Sequence, residues 1–259
     1  MSLNADFRVD WREHVAVFTL NAEHKLNALT KTMITGLECC LNEMPDRGAN
    51  VLIITGSGKA FCSGTDLKEA SDLSSEQASE KADQFRDLFF RIYRSPIISI
   101  AAINGLALGG GLELALACRF RVAERGVKMG LPEVKLAFLP CYGGTQFLPP
   151  LIGKSRAADL MLTGRSVGAE EGLAMGLVNR MSVDRESALD QSLKLASEIS
   201  QYSQGAVSRI LQCINQAENG VCSVGMDFEG AMSREQGNSA DAGEGLQSFL
   251  EKRKPKFIR

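Results

Sequence analysis

A chain of 259 residues is long enough to bury a sizeable core, as one large domain or a domain with an appendage. Its 44% hydrophobic and 23% charged residues are ordinary globular proportions. A net charge of -2 argues against broad, sequence-independent binding to nucleic acid, which needs many Lys and Arg to neutralise phosphates, although a local basic patch stays open. In chain order, Phe7–Trp11 and Val15–Leu20 read as a hairpin joined by the polar turn Arg12-Glu13-His14. Thr30 is placed to cap a helix with Met33, Leu37, Cys40, Leu41 and Met44 on one face. "VLIITG" from Val51 reads as a strand buried on both faces. The polar run "SDLSSEQASEKADQ" leads into a helix with Phe85, Leu88, Phe89 and Ile92, and "IISIAAI" after Pro96 is a second buried strand. Strand and helix alternate to about Val178, the mark of an α/β class. After Asp184 the pattern changes to four helical segments with no strand between them, so a helical appendage is expected from about residue 195.

The seven cysteines include no CxxC pair, and His14 and His24 are the only histidines, so zinc-ligand spacing is absent. The cysteines read as reduced thiols of a cytosolic protein. No basic-then-apolar leader opens the chain and no apolar run reaches membrane-spanning length, so the expected location is cytoplasmic, with no membrane contact.

Three short motifs tempt and fail. "GRSVG" (Gly164 to Gly168) fits a nucleophile elbow, but that arrangement needs a histidine downstream and both histidines lie near the N-terminus. A turn before a helix near Ala169 is the better reading of Ser166. "GKS" at Gly153 and "GSGKA" at Gly56 both lack residues that a phosphate-binding loop requires.

Two glycine-rich segments survive scrutiny: "GSGKAFCSGTDLKE" after the Val51 strand and "NGLALGGGLELAL" after the Ile97 strand. Each alone is a plausible strand-to-helix turn. In parallel α/β proteins, however, ligands bind beyond the carboxyl ends of strands. Glycine there exposes backbone N–H groups at a helix start, and two such turns can aim two donors at one oxygen. Glu113 follows the triplet Gly109-Gly110-Gly111, and Glu133 follows Pro132 in "MGLPEVKLAFLP". Either carboxylate alone reads as well as a helix-start charge, or for Glu133 a solvent-facing one. In a shared apolar pocket, burial would raise both pKa values toward those useful in proton transfer.

The segments "FCSGTDLKE", "AAINGLALGGGLELALAC", "MGLPEVKLAFLPCYGGTQ", "LTGRSVGAEEGLAMGLVNR" and "GLQSFLEKRKPKF" resemble, in order and spacing over nearly the whole chain, the enoyl-CoA hydratase/isomerase (crotonase) superfamily. The resemblance implies an α/β, crotonase-like (ClpP/crotonase) spiral of ββα units over residues 1–195, with a helical trimerisation region over 196–259. It implies a homotrimer, or a hexamer made as a dimer of trimers, acting on an acyl-CoA thioester. The oxyanion-hole donors fall on the backbone N–H groups of Thr65 and Gly110, and the catalytic pair on Glu113 and Glu133. Contacts to CoA and substrate fall on Lys25, Asn27, Ala28, Leu29, Cys62, Ser63, Gly64, Asp66, Leu67, Lys68 and Gly109, with Lys256 and Phe257 completing the nucleotide site of the same or a neighbouring subunit. A solvated basic tail is an equally open reading of the last two. The acyl pocket is expected to be lined by the 70–95 segment.

Divergent members lack one glutamate, so retention of both implies a hydratase: reversible syn addition of water to a 2-enoyl-CoA, with no metal and no cofactor beyond the CoA of the substrate. An enoyl-CoA isomerase or another crotonase-type reaction is the alternative. A non-catalytic, RNA- or protein-binding member is more distant, since no nucleic-acid partner is expected. The chain departs from the family pattern at Thr65 (commonly alanine), Cys141 (commonly glycine), Arg119 (often aspartate), and Phe147 and Pro150 (often arginines). Thr65 is expected to narrow the pocket, and Cys141 to crowd it or restrict its turn.

Overall fold

The first strands, β1 (Ser2–Leu3), β2 (Phe7–Arg12) and β3 (Val15–Leu20), pair antiparallel. Arg12 pairs with Val15 inside the ladder, so the hairpin turn shrinks to Glu13-His14 rather than the expected three residues. Glu13, at φ 47°, makes that reversal possible in two. Helix α1 (Lys31–Glu43) starts where the Thr30 hydroxyl accepts the Met33 N–H at 3.2 Å, and it buries Met33, Leu37, Cys40 and Leu41. The computed structural model describes residues 2–3, 6–182, 186–217 and 222–257.

The chain then repeats a long strand, a short strand and helix. β4 (Val51–Gly56) is followed by β5 (Ala60–Cys62), α2 (Leu67–Ser71) and α3 (Ser75–Arg94). β6 (Ile98–Ile103) is followed by β7 (Leu106–Leu108) and α4 (Gly110–Ala117). β8 (Phe120–Ala123) is followed by β9 (Met129–Gly130) and a 3-10 turn, Glu133–Leu136. Helices α5 (Gly144–Ile152) and α6 (Lys154–Thr163), strand β10 (Ser166–Val167), helix α7 (Ala169–Met175) and strand β11 (Arg180–Met181) complete this part.

The long strands form one sheet, in the order β1-β2-β3-β4-β6-β8-β11, parallel from β3 onward. All residues of β4 and β6 are buried, which accounts for their uninterrupted apolar sequence. The short strands make a second sheet, β10-β9-β7-β5. This is the α/β spiral of ββα units that the resemblance implies. It corrects two local readings: the glycine-rich segments are not direct strand-to-helix turns, because β5 and β7 intervene, and Ser166 lies in a two-residue strand opposite Gly130 rather than in a turn. Strands of two or three residues carry no periodicity to read. Helix α3 also begins earlier than expected, taking in most of the polar run. Ser74 caps it, its hydroxyl accepting the Gln77 N–H while the Gln77 side chain accepts the Ser74 N–H.

By backbone contacts the chain divides into Met1–Tyr93 with Ile98–Leu193, and Arg94–Ile97 with Lys194–Arg259. The second unit is helical: the end of α8 (Ala188–Ser200), then α9 (Gln204–Gln216), α10 (Ser223–Gly237) and α11 (Ala240–Leu250). Ser203 and Ser239 cap α9 and α11 through their hydroxyls. Val224, Met226, Leu246, Phe249 and Leu250 are exposed. Among the described residues no helix is long and apolar enough to cross a membrane.

Candidate active site

Helix α4 can start where it does because three successive residues lack Cβ. Gly109 holds φ 52° and ψ −129°, a conformation closed to other residues. A Cβ on Gly111 would stand 2.2 Å from the Cys62 carbonyl oxygen, so the helix rests directly on the end of β5. From the other turn, Gly64 (φ 103°) reaches the same place: its missing side chain would lie 2.9 Å from the Leu108 carbonyl and 3.4 Å from the Gly110 nitrogen. The two glycine-rich turns therefore meet. Thr65 and Gly110 follow the two contact points, and among the described residues neither backbone N–H has an acceptor.

Glu113 lies in the first turn of α4 and is 1% exposed. Its Oε1 accepts the N–H groups of Tyr142 and Gly144, both at 2.8 Å, and Gly144 opens α5. Burial pushes its pKa up to about 7; the Glu133 charge adds to this, and the two N–H donors oppose it. Glu133 opens its 3-10 turn directly after Pro132, which occupies the cap rather than the first helical position. Its Oε1 lies 3.1 Å from where a side chain on Gly109 would begin, so the carboxylate packs closely over the bare glycine backbone. Its Oε2 is buried without a hydrogen-bond partner among the described residues, and burial raises the Glu133 pKa.

Both carboxylates and both backbone donors line one cavity of about 530 Å³. Its walls include Leu73, Leu136 and Phe138, and also Tyr142 and Cys141. The Tyr142 hydroxyl shares a 2.8 Å hydrogen bond with Thr65 Oγ1, and its ring packs 5.1 Å from Phe85 and 6.0 Å from Phe89. Burial pushes the Tyr142 hydroxyl up to about 12, so it stays neutral. Burial, with the charges of Glu113 and Glu133, pushes the Cys141 thiol up to about 11, far from a reactive thiolate. Such an arrangement can hold an anionic oxygen at two N–H groups and exchange protons a short distance away.

The sequence profile of the enoyl-CoA hydratase/isomerase family matches residues 10–259. The chain belongs to this family. A probable enoyl-CoA hydratase of Mycobacterium tuberculosis is 39% identical over 258 residues, covering 96% of each chain. One of Bacillus subtilis is 36% identical over 247 residues, covering 95% of each. The crystal structure of enoyl-CoA hydratase from Bacillus anthracis superposes with a TM-score of 0.92 at 36% identity, over 97% of this chain and 98% of that one.

The remaining residues that the family resemblance marks sort into different surroundings. Lys25 Nζ lies 3.3 Å from Asp66 Oδ2, and an isolated bridge joins Leu29 to Thr65, so the "KLNAL" and "SGTDLK" segments lie side by side. Asp66 also caps α2, accepting the N–H groups of Lys68 and Glu69. Asn27 is fully buried, and its amide is committed to the Ala22 N–H and the carbonyls of Ser57 and Ala60. The Asn27 side chain thus braces the turn that carries the "KLNAL" segment. Cys62, Leu29 and Ala28 are buried too, and burial drives the Cys62 thiol up to about 12. Ser63, Gly64, Leu67 and Gly109 line the cavity, while Lys68 is exposed. Lys256 and Phe257 belong to the second unit, where the Lys256 N–H donates to Glu244 and the Phe257 ring lies beside Gly245.

Of the departures from the family pattern, Thr65 ties down Tyr142, Arg119 donates to the Tyr93 carbonyl, and Phe147 stacks on Tyr93 at 4.7 Å. Sequence reasoning missed Tyr142, although it lies inside a quoted motif, and Lys81, which lines the cavity. Lys81 was visible as a charge one helical turn before Phe85 on the apolar face of α3.

Proposed function

We propose that this protein catalyses the reversible syn addition of water to a 2-enoyl-CoA thioester. The observation that carries this reading is that one cavity is lined by both glutamates and by Thr65 and Gly110, whose backbone N–H groups have no acceptor among the described residues. The thioester oxygen binds between the N–H groups of Thr65 and Gly110, which stabilise enolate charge as water adds at C3. One such donor is worth about 100- to 1,000-fold in rate. Glu113, held rigidly by two donors, takes a proton from the water, and Glu133 delivers a proton to C2. The hydroxyl goes to C3 and the hydrogen to C2, no electrons leave the substrate, and the only coenzyme is the substrate's own CoA.

The CoA lies, in this proposal, along the paired Lys25–Leu29 and Ser63–Lys68 segments, with Lys256 and Phe257 of a neighbouring subunit at its nucleotide end. The helices of residues 196–259 serve as a trimerisation region for a homotrimer or a hexamer, which the exposed Val224, Met226, Phe249 and Leu250 support. The enzyme works in the cytoplasm. Loss of enoyl absorbance with crotonyl-CoA and with longer, branched and aromatic enoyl-CoAs tests the reaction, and no loss with any of them overturns it. The family also includes isomerases; product analysis with 3-enoyl-CoA esters separates that chemistry from hydration.

A further inference from the structure

Lys81 lies on the face of α3 that buries Phe85, Leu88, Phe89 and Ile92. An aliphatic side chain would suit that face, and burying an ammonium there is unfavourable unless it gains partners. Lys81 is 8% exposed, and its Nζ is closed to solvent. Glu69 supplies a counter-charge, with Oε1 3.0 Å away, but the pair lacks hydrogen-bond geometry and no other acceptor in the described residues meets the ammonium. The Glu69 side chain is 35% exposed, so water screens part of its charge.

Lys81 lines the same cavity as the two catalytic candidates and carries the sole positive charge among its described lining residues. Ala78 and Ala82, which also line the cavity, leave space beside it. Contacts locate it along the cavity. Glu113 accepts the Tyr142 N–H, the Tyr142 ring lies 5.1 Å from Phe85, and Lys81 Nζ lies 5.5 Å from the Phe85 ring centre. The ammonium thus neighbours Phe85, whose ring packs on that of Tyr142, and apolar Leu67, Ala70 and Leu73 also line the space.

Resting on the hydratase reading above, we infer that the substrate's acyl chain carries a carboxylate at its far end, which pairs with Lys81. The apolar wall accepts the methylene stem, and the buried N–H donors of Lys81 gain an acceptor that the protein does not supply. A terminal carboxylate is the group for which a buried ammonium is worth most, since the attraction is weakly screened there. A lysine that only ties α2 to α3 through Glu69 would not discriminate between acyl groups. One that gripped the CoA phosphates would strengthen all CoA esters alike.

Calorimetric binding of saturated CoA esters tests this without turnover. Mono-CoA esters of dicarboxylic acids of increasing length are compared with uncharged alkanoyl-CoA esters of the same length. The wild-type protein is expected to favour the carboxylated ester at one length by about tenfold to a hundredfold. Lys81→Met removes that preference, Lys81→Arg restores part of it, and Glu69→Gln, which removes the competing carboxylate, increases it. No preference at any length overturns the inference, as does an equal loss for both ester types in Lys81→Met. Should Lys81→Met fail to fold, Glu69→Gln decides, an unchanged preference being the overturning result. Hydration of the enoyl-CoA panel above, extended to enoyl-CoA esters that carry a distal carboxylate, is assayed separately and reports on the reaction itself: no hydration of any of them with the preference intact removes the hydratase reading and leaves the ligand class standing.

Discussion

Helix α4 and the segment from Pro132 to Leu139 each give one carboxylate to the same cavity, and they hold it in opposite ways. All eight residues of α4 are buried, and Glu113 is fixed by two N–H groups from a distant part of the chain. Around Glu133 the chain makes only a short 3-10 turn, and Val134, Leu136, Phe138 and Leu139 are all exposed. Its Oε2 has no hydrogen-bond partner among the described residues. A water-activating base gains from a fixed direction, whereas a group that hands a proton to carbon gains from an oxygen not already engaged. The difference between the two supports dividing the roles between Glu113 and Glu133.

Replacing each carboxylate by its amide breaks the comparison most severely. Glu133→Gln is expected to lower turnover of crotonyl-CoA by about 100- to 10,000-fold while leaving CoA affinity near normal. Steady-state rates with CoA titration check this, and unchanged turnover takes Glu133 out of the chemistry. Glu113→Gln is expected to lose a similar factor. Its amide oxygen still accepts from Tyr142 and Gly144, so circular dichroism should report an intact fold.

The next effect is on stability and separates the two segments. In Gly111→Ala the new Cβ meets backbone, the Cys62 carbonyl at 2.2 Å, which cannot swing aside as a side chain would. A loss of about 2–5 kcal/mol is expected by denaturant unfolding, at the severe end of single substitutions. Leu136→Ala, in the exposed segment, should stay within about 0.5 kcal/mol. Equal losses would show that the two segments are packed alike.

Much of this was legible because it is local. Thr30 caps α1, and the face it starts is the one its apolar spacing predicts; β4 and β6 are read from unbroken apolar runs. The glycine triplet with Glu113 drew attention because such residues are unfavourable in a helix without a tertiary reason. What escaped lies in two classes. The short strands β5, β7, β9 and β10 are too brief for periodicity and exist because they pair with one another. The partners of Glu113 are backbone N–H groups, 29 and 31 residues away, which no side-chain pattern encodes. Asn27 sat inside a recognised motif, yet its role as a brace depends on three backbone groups brought to it by folding.

The smallest effect is the pH dependence, and it sharpens the comparison because stability and activity move in opposite directions. The Glu113 carboxyl, pushed from 4.5 up to about 7, binds its proton more tightly in the folded protein than in the unfolded chain. The resulting stability is fully present below pH 4.5 and is lost as pH rises through about 7. Measured against Glu113→Gln, which does not titrate, the wild-type protein should lose on the order of 1–3 kcal/mol across that window. Over the same window kcat/KM should rise, because the base acts only when ionised. Unfolding free energies of both proteins and the wild-type rate profile, taken at matched pH values, test the pair of trends. If wild type and variant keep a constant stability difference while the rate rises, the titrating base is a group other than Glu113.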